Sequence, residues 1–341
     1  MKSLYKSSLI LMLLSITFFT STISLASTDP DSFDDFPLLD PIVYPSWFKQ
    51  SFLDLPEDLA DSAKNNKKGI IVYFGQKRCA YCRMLMDINF GQKKIESYTR
   101  ENFDFIPIDV WGAQEVTDTK GVVLTEREYA LREKTNFTPS LLFYNNEGEL
   151  MLKLRGYYPP YQFMAALQYV AEGHYKREKF KVYLARGDKS MHFEEGDLAE
   201  EEFFNPPPHN LDRSLFSGER PIAVFFEQGN CHACDVLHTE PLKRVAIANL
   251  FNQFDSIQLN MNSSTPIITP AGKKTTAKDW ANDLDLFYAP SIIFFDEKGK
   301  EIIRLESVVR FFRLRNVLNY IISGAYKDYS SFQEWRLQSG F

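Results

Sequence analysis

Two short apolar runs, Gly69 to Phe74 and Ile222 to Phe226, carry no charged residue in either phase. A strand that is apolar on both faces belongs in the middle of a sheet covered on both sides, so each run predicts a buried central strand. Each leads straight into a Cys-x-x-Cys pair and then a helical stretch, Arg83 to Asp87 in one case and Asp235 to Pro241 in the other. Second strands are expected at Phe103 to Val110 and Phe254 to Met261, and third strands at Leu141 to Tyr144 and Ile292 to Phe295. The third strands turn at Asn145-Asn146-Glu147-Gly148 and Asp296-Glu297-Lys298-Gly299 into fourth ones, Leu150 to Leu154 and Glu301 to Leu305. Thr125-x-x-Glu128 and Thr276-x-x-Asp279 read as capping boxes, the Asp version being the weaker match. A last helix, about Tyr161 to Glu172 or Phe312 to Ser323, closes each unit. This order implies an α/β architecture in which helices flank both faces of a mixed central sheet.

The parallel between the halves extends to residue identity. Phe74 to Cys82 matches Phe226 to Cys234 at an offset of 152, and Phe52, Pro56 and Leu59 answer to Phe204, Pro208 and Leu211 at the same offset. Downstream the offset becomes 151: Thr138-Pro139-Ser140 faces Ala289-Pro290-Ser291, Gly148 faces Gly299, and Gly173-His174-Tyr175-Lys176 faces Gly324-Ala325-Tyr326-Lys327. Such regularity marks a duplicated domain.

Composition narrows the partners. With 341 residues and 44% hydrophobic side chains, the chain can bury two cores. Lys plus Arg number 39 against 45 Asp plus Glu, a net charge of −6 that lacks the basic field a nucleic acid requires. Lys2 and Lys6, an apolar run from Leu9 to Phe19, and Ser24-Leu25-Ala26 form a secretory signal pattern with cleavage after Ala26. Export to an oxidising space, periplasmic or secreted, is therefore expected. The layout that results is a signal peptide at 1–26, an acidic and partly ordered extension at 27–50, a first domain at 51–187, an acidic linker at 188–202 and a second domain at 203–341.

The only four cysteines, Cys79, Cys82, Cys231 and Cys234, form two identical pairs. Placed between a buried strand and a helix, the first Cys of each pair sits at the helix N-terminus. There, free N–H groups and the positive dipole end favour thiolate and lower the thiol from its ordinary ~8.5. The second lies one turn on, nearer the core, where it can attack a mixed disulfide. Two other readings stay open: a closed structural disulfide, and a metal site, since Cys231-His232-x-Cys234-x3-His238 has zinc-like spacing. Pro139 and Pro290 each open a strand about sixty residues after the pair. A cis proline there would lay a loop against the sulfurs and offer backbone groups to an extended substrate.

With the pairs, the prolines and the hairpin glycines in place, both copies resemble thioredoxin-fold domains. The first is similar to exported thioredoxins of the sulfur-oxidation type in Asp109-Val110-Trp111-Gly112-x-x-Glu115-Val116-Thr117 and Thr138-Pro139. The resemblance implies two tandem thioredoxin-like domains, with Cys79 as nucleophile, Cys82 as resolving thiol, and Thr138 and Pro139 touching substrate. Cys231, Cys234, Ala289 and Pro290 would do the same in the second copy. It further implies a thiol:disulfide oxidoreductase, reductase or isomerase, acting on disulfides of exported proteins. Its electrons would come from a membrane-bound thiol donor, and its only redox groups would be its own disulfides, with no cofactor and no metal. A non-catalytic binding or assembly protein with closed pairs and a copper chaperone are the alternatives. The chain departs from the family between the cysteines, with Ala80-Tyr81 and His232-Ala233, and at the buried Asp six positions before each pair, which is Tyr73 or Phe225 here. Glu227 is a weak substitute for that Asp. His232 can donate to the Cys231 thiolate and make the second disulfide more oxidising, whereas Tyr81 offers only a ring and a distant hydroxyl.

Overall fold

The computed structural model describes residues 33–187 and 198–339. The signal segment at 1–26, the start of the acidic extension and most of the linker lie outside them. In the first copy the chain runs α1 (Leu55–Lys64), β1 (Gly69–Gly75), α2 (Ala80–Met84), α3 (Lys93–Asn102), β2 (Phe103–Asp109), β3 (Glu115–Thr117), β4 (Val123–Thr125), α4 (Glu126–Arg132), β5 (Ser140–Asn145), β6 (Leu150–Arg155), α5 (Pro160–Ala171) and α6 (Phe180–Gly187). The second continues with β7 (His209–Asn210), β8 (Ile222–Glu227), α7 (His232–Leu237), α8 (Val245–Phe251), β9 (Asp255–Asn260), β10 (Pro266–Ile268), β11 (Lys274–Thr276), α9 (Ala277–Asp283), β12 (Ser291–Phe295), β13 (Glu301–Leu305), α10 (Phe311–Ile322) and α11 (Phe332–Ser339). Among the described residues no helix is long and apolar enough to cross a membrane.

Both main sheets have the same topology, β2-β1-β5-β6 and β9-β8-β12-β13. In each, one parallel pair is followed by two antiparallel ones. Because alternate side chains point to opposite faces, Ile71 and Tyr73 join Leu85, Ile95 and Phe163 on one side of the first sheet. Ile70, Val72 and Phe74 join Leu55, Leu59 and Tyr129 on the other. The second sheet divides the same way, Ala223 and Phe225 facing Phe251 and Leu314, and Val224 and Phe226 facing Trp280. Thr125 and Glu128 form a full reciprocal capping box. Thr276 accepts from the Asp279 N–H in the same way, but the shorter Asp side chain meets only the Thr276 hydroxyl.

The copies differ at their entries. Asp54 caps α1, with Pro56 in its first turn, whereas Pro206-Pro207-Pro208 removes three successive N–H donors and bars a helix in the second copy. There the chain pairs instead as β7 along β10, and Leu211 fills the second core beside Ile267. The upstream equivalence therefore fails in space: Phe52 is 97% exposed, whereas Phe204 packs edge-on against Phe225. Nor does α5 or α10 close its unit. A further helix follows each and bridges the two domains: α6 sets Phe180 between Tyr169 of its own domain and Phe287 of the other, and α11 sets Phe332 between Tyr320 and Phe137.

Between the domains the chain after β6 lies along the chain after β13. The Tyr158 hydroxyl donates to the Glu306 carbonyl at 2.6 Å, and the Val308 N–H donates to the Tyr157 carbonyl at 3.3 Å. Gly156 (φ +115°) makes this approach possible, since a Cβ there would run into the Ser307 hydroxyl. Gly156→Ala is expected to lower stability by about 1–2 kcal/mol from the backbone conformation alone, plus the clash. Gly121→Ala, at φ +79° with open space around it, should show only the conformational part. Chemical denaturation of both variants gives the difference.

Candidate functional site

Each Cys-x-x-Cys pair is a disulfide with Cα atoms 5.2 Å apart. The reason lies in the helix start. Cys79 is the N-cap of α2, in extended backbone, and its sulfur accepts the Cys82 N–H at 3.0 Å. Cys231 caps α7 and accepts the Cys234 N–H at 3.1 Å. In each pair the first sulfur thus sits where helix donors are unpaired. Cys82 and Cys234 lie deeper than their partners.

The Thr138–Pro139 and Ala289–Pro290 peptide bonds are cis. They bring the Thr138 carbonyl oxygen to 3.5 Å from Cys79 Sγ and the Ala289 carbonyl oxygen to 3.6 Å from Cys231 Sγ. Cysteines and proline loops a long way apart in sequence therefore meet in both copies. Tyr73 and Phe225 are fully buried in the central strands at the position of the family's Asp.

The surroundings of the two pairs are not alike. At the first, a polar chain runs from the Trp111 indole N–H to Gln76 Oε1 (2.9 Å), from Gln76 Nε2 to Thr138 Oγ1 (2.8 Å), and from that hydroxyl to Cys79 Sγ (3.3 Å). Ala289 stands where Thr138 stands and has no hydroxyl to give. Gln76 was missed as a site residue in the sequence, although the repeat carries a signal for it: Gln228 is identical at the offset of 152.

Tyr81, read from the sequence as a weak influence, is buried and anchors the first site to distant chain. Its hydroxyl donates to Asp35 Oδ2 (2.8 Å) and accepts the Arg310 N–H (2.9 Å). The Arg313 guanidinium lies 3.3 Å from the ring centroid. Burial, then the Asp35 charge, holds the Tyr81 phenol well above its usual range. Asp35 also accepts the Phe312 and Arg313 N–H groups, each at 2.8 Å, and so caps α10. The acidic extension is thus an ordered strap from residue 33 onward, tied at Leu38 to the Arg78 carbonyl and at Ile42 to the Lys77 carbonyl. Arg313 Nη2 donates to the Thr138 carbonyl at 2.9 Å. One sequence signal pointed here: Arg313 and Arg315 stand near the start of α10, against the helix dipole.

At the second pair His232 is exposed. His238, four residues after Cys234, is buried with Nε2 3.0 Å from Glu227 Oε2 and Nδ1 3.0 Å from Glu201 Oε1. Both ring nitrogens are engaged by carboxylates, which removes His238 from the zinc-like reading of its spacing. No group of three or more His, Cys, Asp or Glu able to hold a metal occurs among the described residues. Desolvation lowers the His238 pKa, but the contacts with Glu227 and Glu201 outweigh it, and the net shift is upward from 6.5. A raised folded-state pKa contributes stability that is whole below about 6.5 and is lost as pH rises through the folded value. Thermal unfolding from pH 6 to 9 should show this decline in the wild type, and His238→Gln should flatten it.

The thioredoxin-like domain family matches the chain twice, over residues 55–171 and 209–322. No curated protein matches significantly. Among solved structures, a thioredoxin-fold protein from Helicobacter pylori is 22% identical, with a TM-score of 0.34, covering 41% of this chain and 91% of that one. A disulphide isomerase from Xylella fastidiosa is 16% identical, with a TM-score of 0.26 and coverages of 43% and 98%. The first two thioredoxin domains of Eps1p from Saccharomyces cerevisiae are 11% identical, with a TM-score of 0.25 and coverages of 82% and 98%. With two matched regions that each carry a helix-capping disulfide and a facing cis proline, the chain belongs to the thioredoxin-like family as a tandem of two domains.

Proposed function

We propose that the protein is an exported thiol:disulfide oxidoreductase with two redox-active pairs, Cys79–Cys82 and Cys231–Cys234, acting on disulfides of exported proteins. The observation that carries this reading is the sulfur geometry. In both copies the first sulfur takes a helix N–H, which favours thiolate, lies 3.5 or 3.6 Å from the carbonyl of the residue before a cis proline, and has the second cysteine behind it to resolve. Thr138 with Pro139, and Ala289 with Pro290, are the proposed substrate contacts. The leader at 1–26 supports export, and a membrane-bound thiol donor is the proposed source of electrons.

The reaction runs by exchange. The Cys79 or Cys231 thiolate attacks a substrate disulfide and forms a mixed disulfide while one substrate thiolate leaves. Cys82 or Cys234 then attacks the first cysteine's sulfur and releases the second substrate thiol. In this scheme Cys82→Ser accumulates mixed disulfides on Cys79 and Cys234→Ser accumulates them on Cys231, read by gel shift and mass spectrometry. Thiols that stay silent to iodoacetamide in both reduced pairs sink the catalytic reading in favour of a closed scaffold.

Donors to a thiolate stabilise the reduced pair and raise its potential. The Thr138 hydroxyl is buried beside Cys79, whereas His232 is exposed and screened by water. In variants that keep a single pair, Thr138→Ala should lower the first potential by about 30 mV, equivalent to ~1.4 kcal/mol. His232→Ala should lower the second by less. Equilibration against glutathione measures both, and an unchanged first potential refutes the hydroxyl's role.

A further inference from the structure

Beside Cys79 lies a cavity of about 290 Å³ between the domains. Its walls join Cys79, Tyr81 and Thr138 of the first domain to Arg313, Arg315 and Arg336 of the second. None of these three guanidinium groups forms an ion pair with a carboxylate among the described residues. Arg315 Nε and Arg336 Nε are buried without a hydrogen-bond partner, as is the Asn316 carbonyl. Asp35, the one carboxylate on the wall, is already taken by two helix N–H groups and the Tyr81 hydroxyl. Burial and the nearby Arg313 charge pull the Arg336 guanidinium down to about 10.

Asp35 and the faces of Tyr81, Phe312 and Phe332 balance these cations only in part: three guanidinium groups face one carboxylate, so an anion set among them is favoured. Phe36, Phe137, Phe312 and Phe332 complete the walls. Arg313 donates to the Thr138 carbonyl, so a substrate at the first site meets a guanidinium beside the proline loop. The first copy's match to Arg313, at the offset of 151, is Gln162, which carries no charge.

We propose that the first site exchanges electrons with a small thiol, or its disulfide, that carries carboxylate, held by Arg315 and Arg336 with its sulfur at Cys79. This rests on the oxidoreductase reading and assigns the substrate class of one of its two sites. The small thiolate attacks Cys79 Sγ, the Cys79–Cys82 bond breaks, and the Cys82 thiolate leaves and takes a proton. A second small thiol then attacks the small molecule's sulfur in the mixed disulfide. The small disulfide departs, two electrons have entered the protein, and both cysteines are reduced; the reverse sequence oxidises the pair.

The test uses the full chain with Cys231→Ser and Cys234→Ser, so that only the first pair reacts. Its reduction is followed with 3-mercaptopropionate (anionic), 2-mercaptoethanol (neutral) and cysteamine (cationic), each rate divided by the thiolate concentration present. The anionic thiol is expected to saturate and to exceed the neutral one at least tenfold per thiolate, with the cationic thiol slowest. With a net charge of −6 the protein as a whole repels the anion, so such a preference reports the local cluster. Arg336→Gln should reduce the anionic-to-neutral ratio at least threefold, and Arg336→Lys should restore most of it. Arg315→Gln, at a half-buried position, gives the same reading if the Arg336 variant does not fold. A ratio near one, or a ratio unmoved by both substitutions, overturns the anion site while leaving the oxidoreductase reading intact. Failure of all three thiols to open the pair overturns both.

Discussion

A helix that starts at the end of a buried strand leaves its first N–H groups without partners, and in both halves of this chain a cysteine sulfur accepts one of them. Everything at the sites follows from that placement. The sulfur must lie at the strand's carboxyl end, the second cysteine must lie one turn deeper, and the loop before the third strand must come over the top with its carbonyl 3.5 or 3.6 Å away. The strand is held because it is apolar on both faces and packed on both sides. The start of α2 is consequently anchored in the first core, where Cys79 and Cys82 pack with Tyr73 and Leu85.

Duplication then allowed the two copies to diverge in what faces each sulfur. The first has a hydroxyl donor at Thr138, linked through Gln76 to Trp111, and a cover built from residues 33–42 and the start of α10. The second has an alanine at the corresponding place and a buried His238 between Glu227 and Glu201. The start of α10, together with α11, furnishes the second domain's wall of the first site. Each terminal helix packs on the loop just before the partner domain's proline, at Phe137 or at Phe287.

Asp35 shows how a single carboxylate can join three parts of the chain. It supplies the acceptors that the α10 N-terminus lacks, and it holds the Tyr81 hydroxyl, which in turn takes the Arg310 N–H. Two arginines near a helix start are unfavourable to the dipole, and one anionic cap offsets only part of that. Local sequence preference and the observed structure disagree here, beside the Cys79 sulfur, and such disagreements concentrate at functional or strained sites.

From the sequence alone, the duplication, the order of the four main strands in each copy, and the meeting of cysteine pair and proline were readable, whereas α1, α3, α8, β7, the short β3–β4 and β10–β11 hairpins and the terminal α6 and α11 were not. Each readable feature depends on patterns within a copy: the all-apolar strand, the Thr-x-x-Glu cap, the turn glycines, the constant offset. What lay beyond reach was every contact between copies. The value of Tyr81 depends on Asp35 and Arg313, residues far away in sequence that neither periodicity nor motif connects to it. Pro56 and Pro208 matched by offset, yet one enters a helix and the other follows two further prolines that forbid it. Likewise, His238 carried zinc-like spacing, but its nitrogens are claimed by Glu227 and Glu201, which only the packed fold brings to it. Local chain chemistry determines elements and caps. Which face of a domain is covered, and by which charges, is decided when two cores dock, because docking selects partners by shape and unmet hydrogen bonds rather than by sequence neighbourhood.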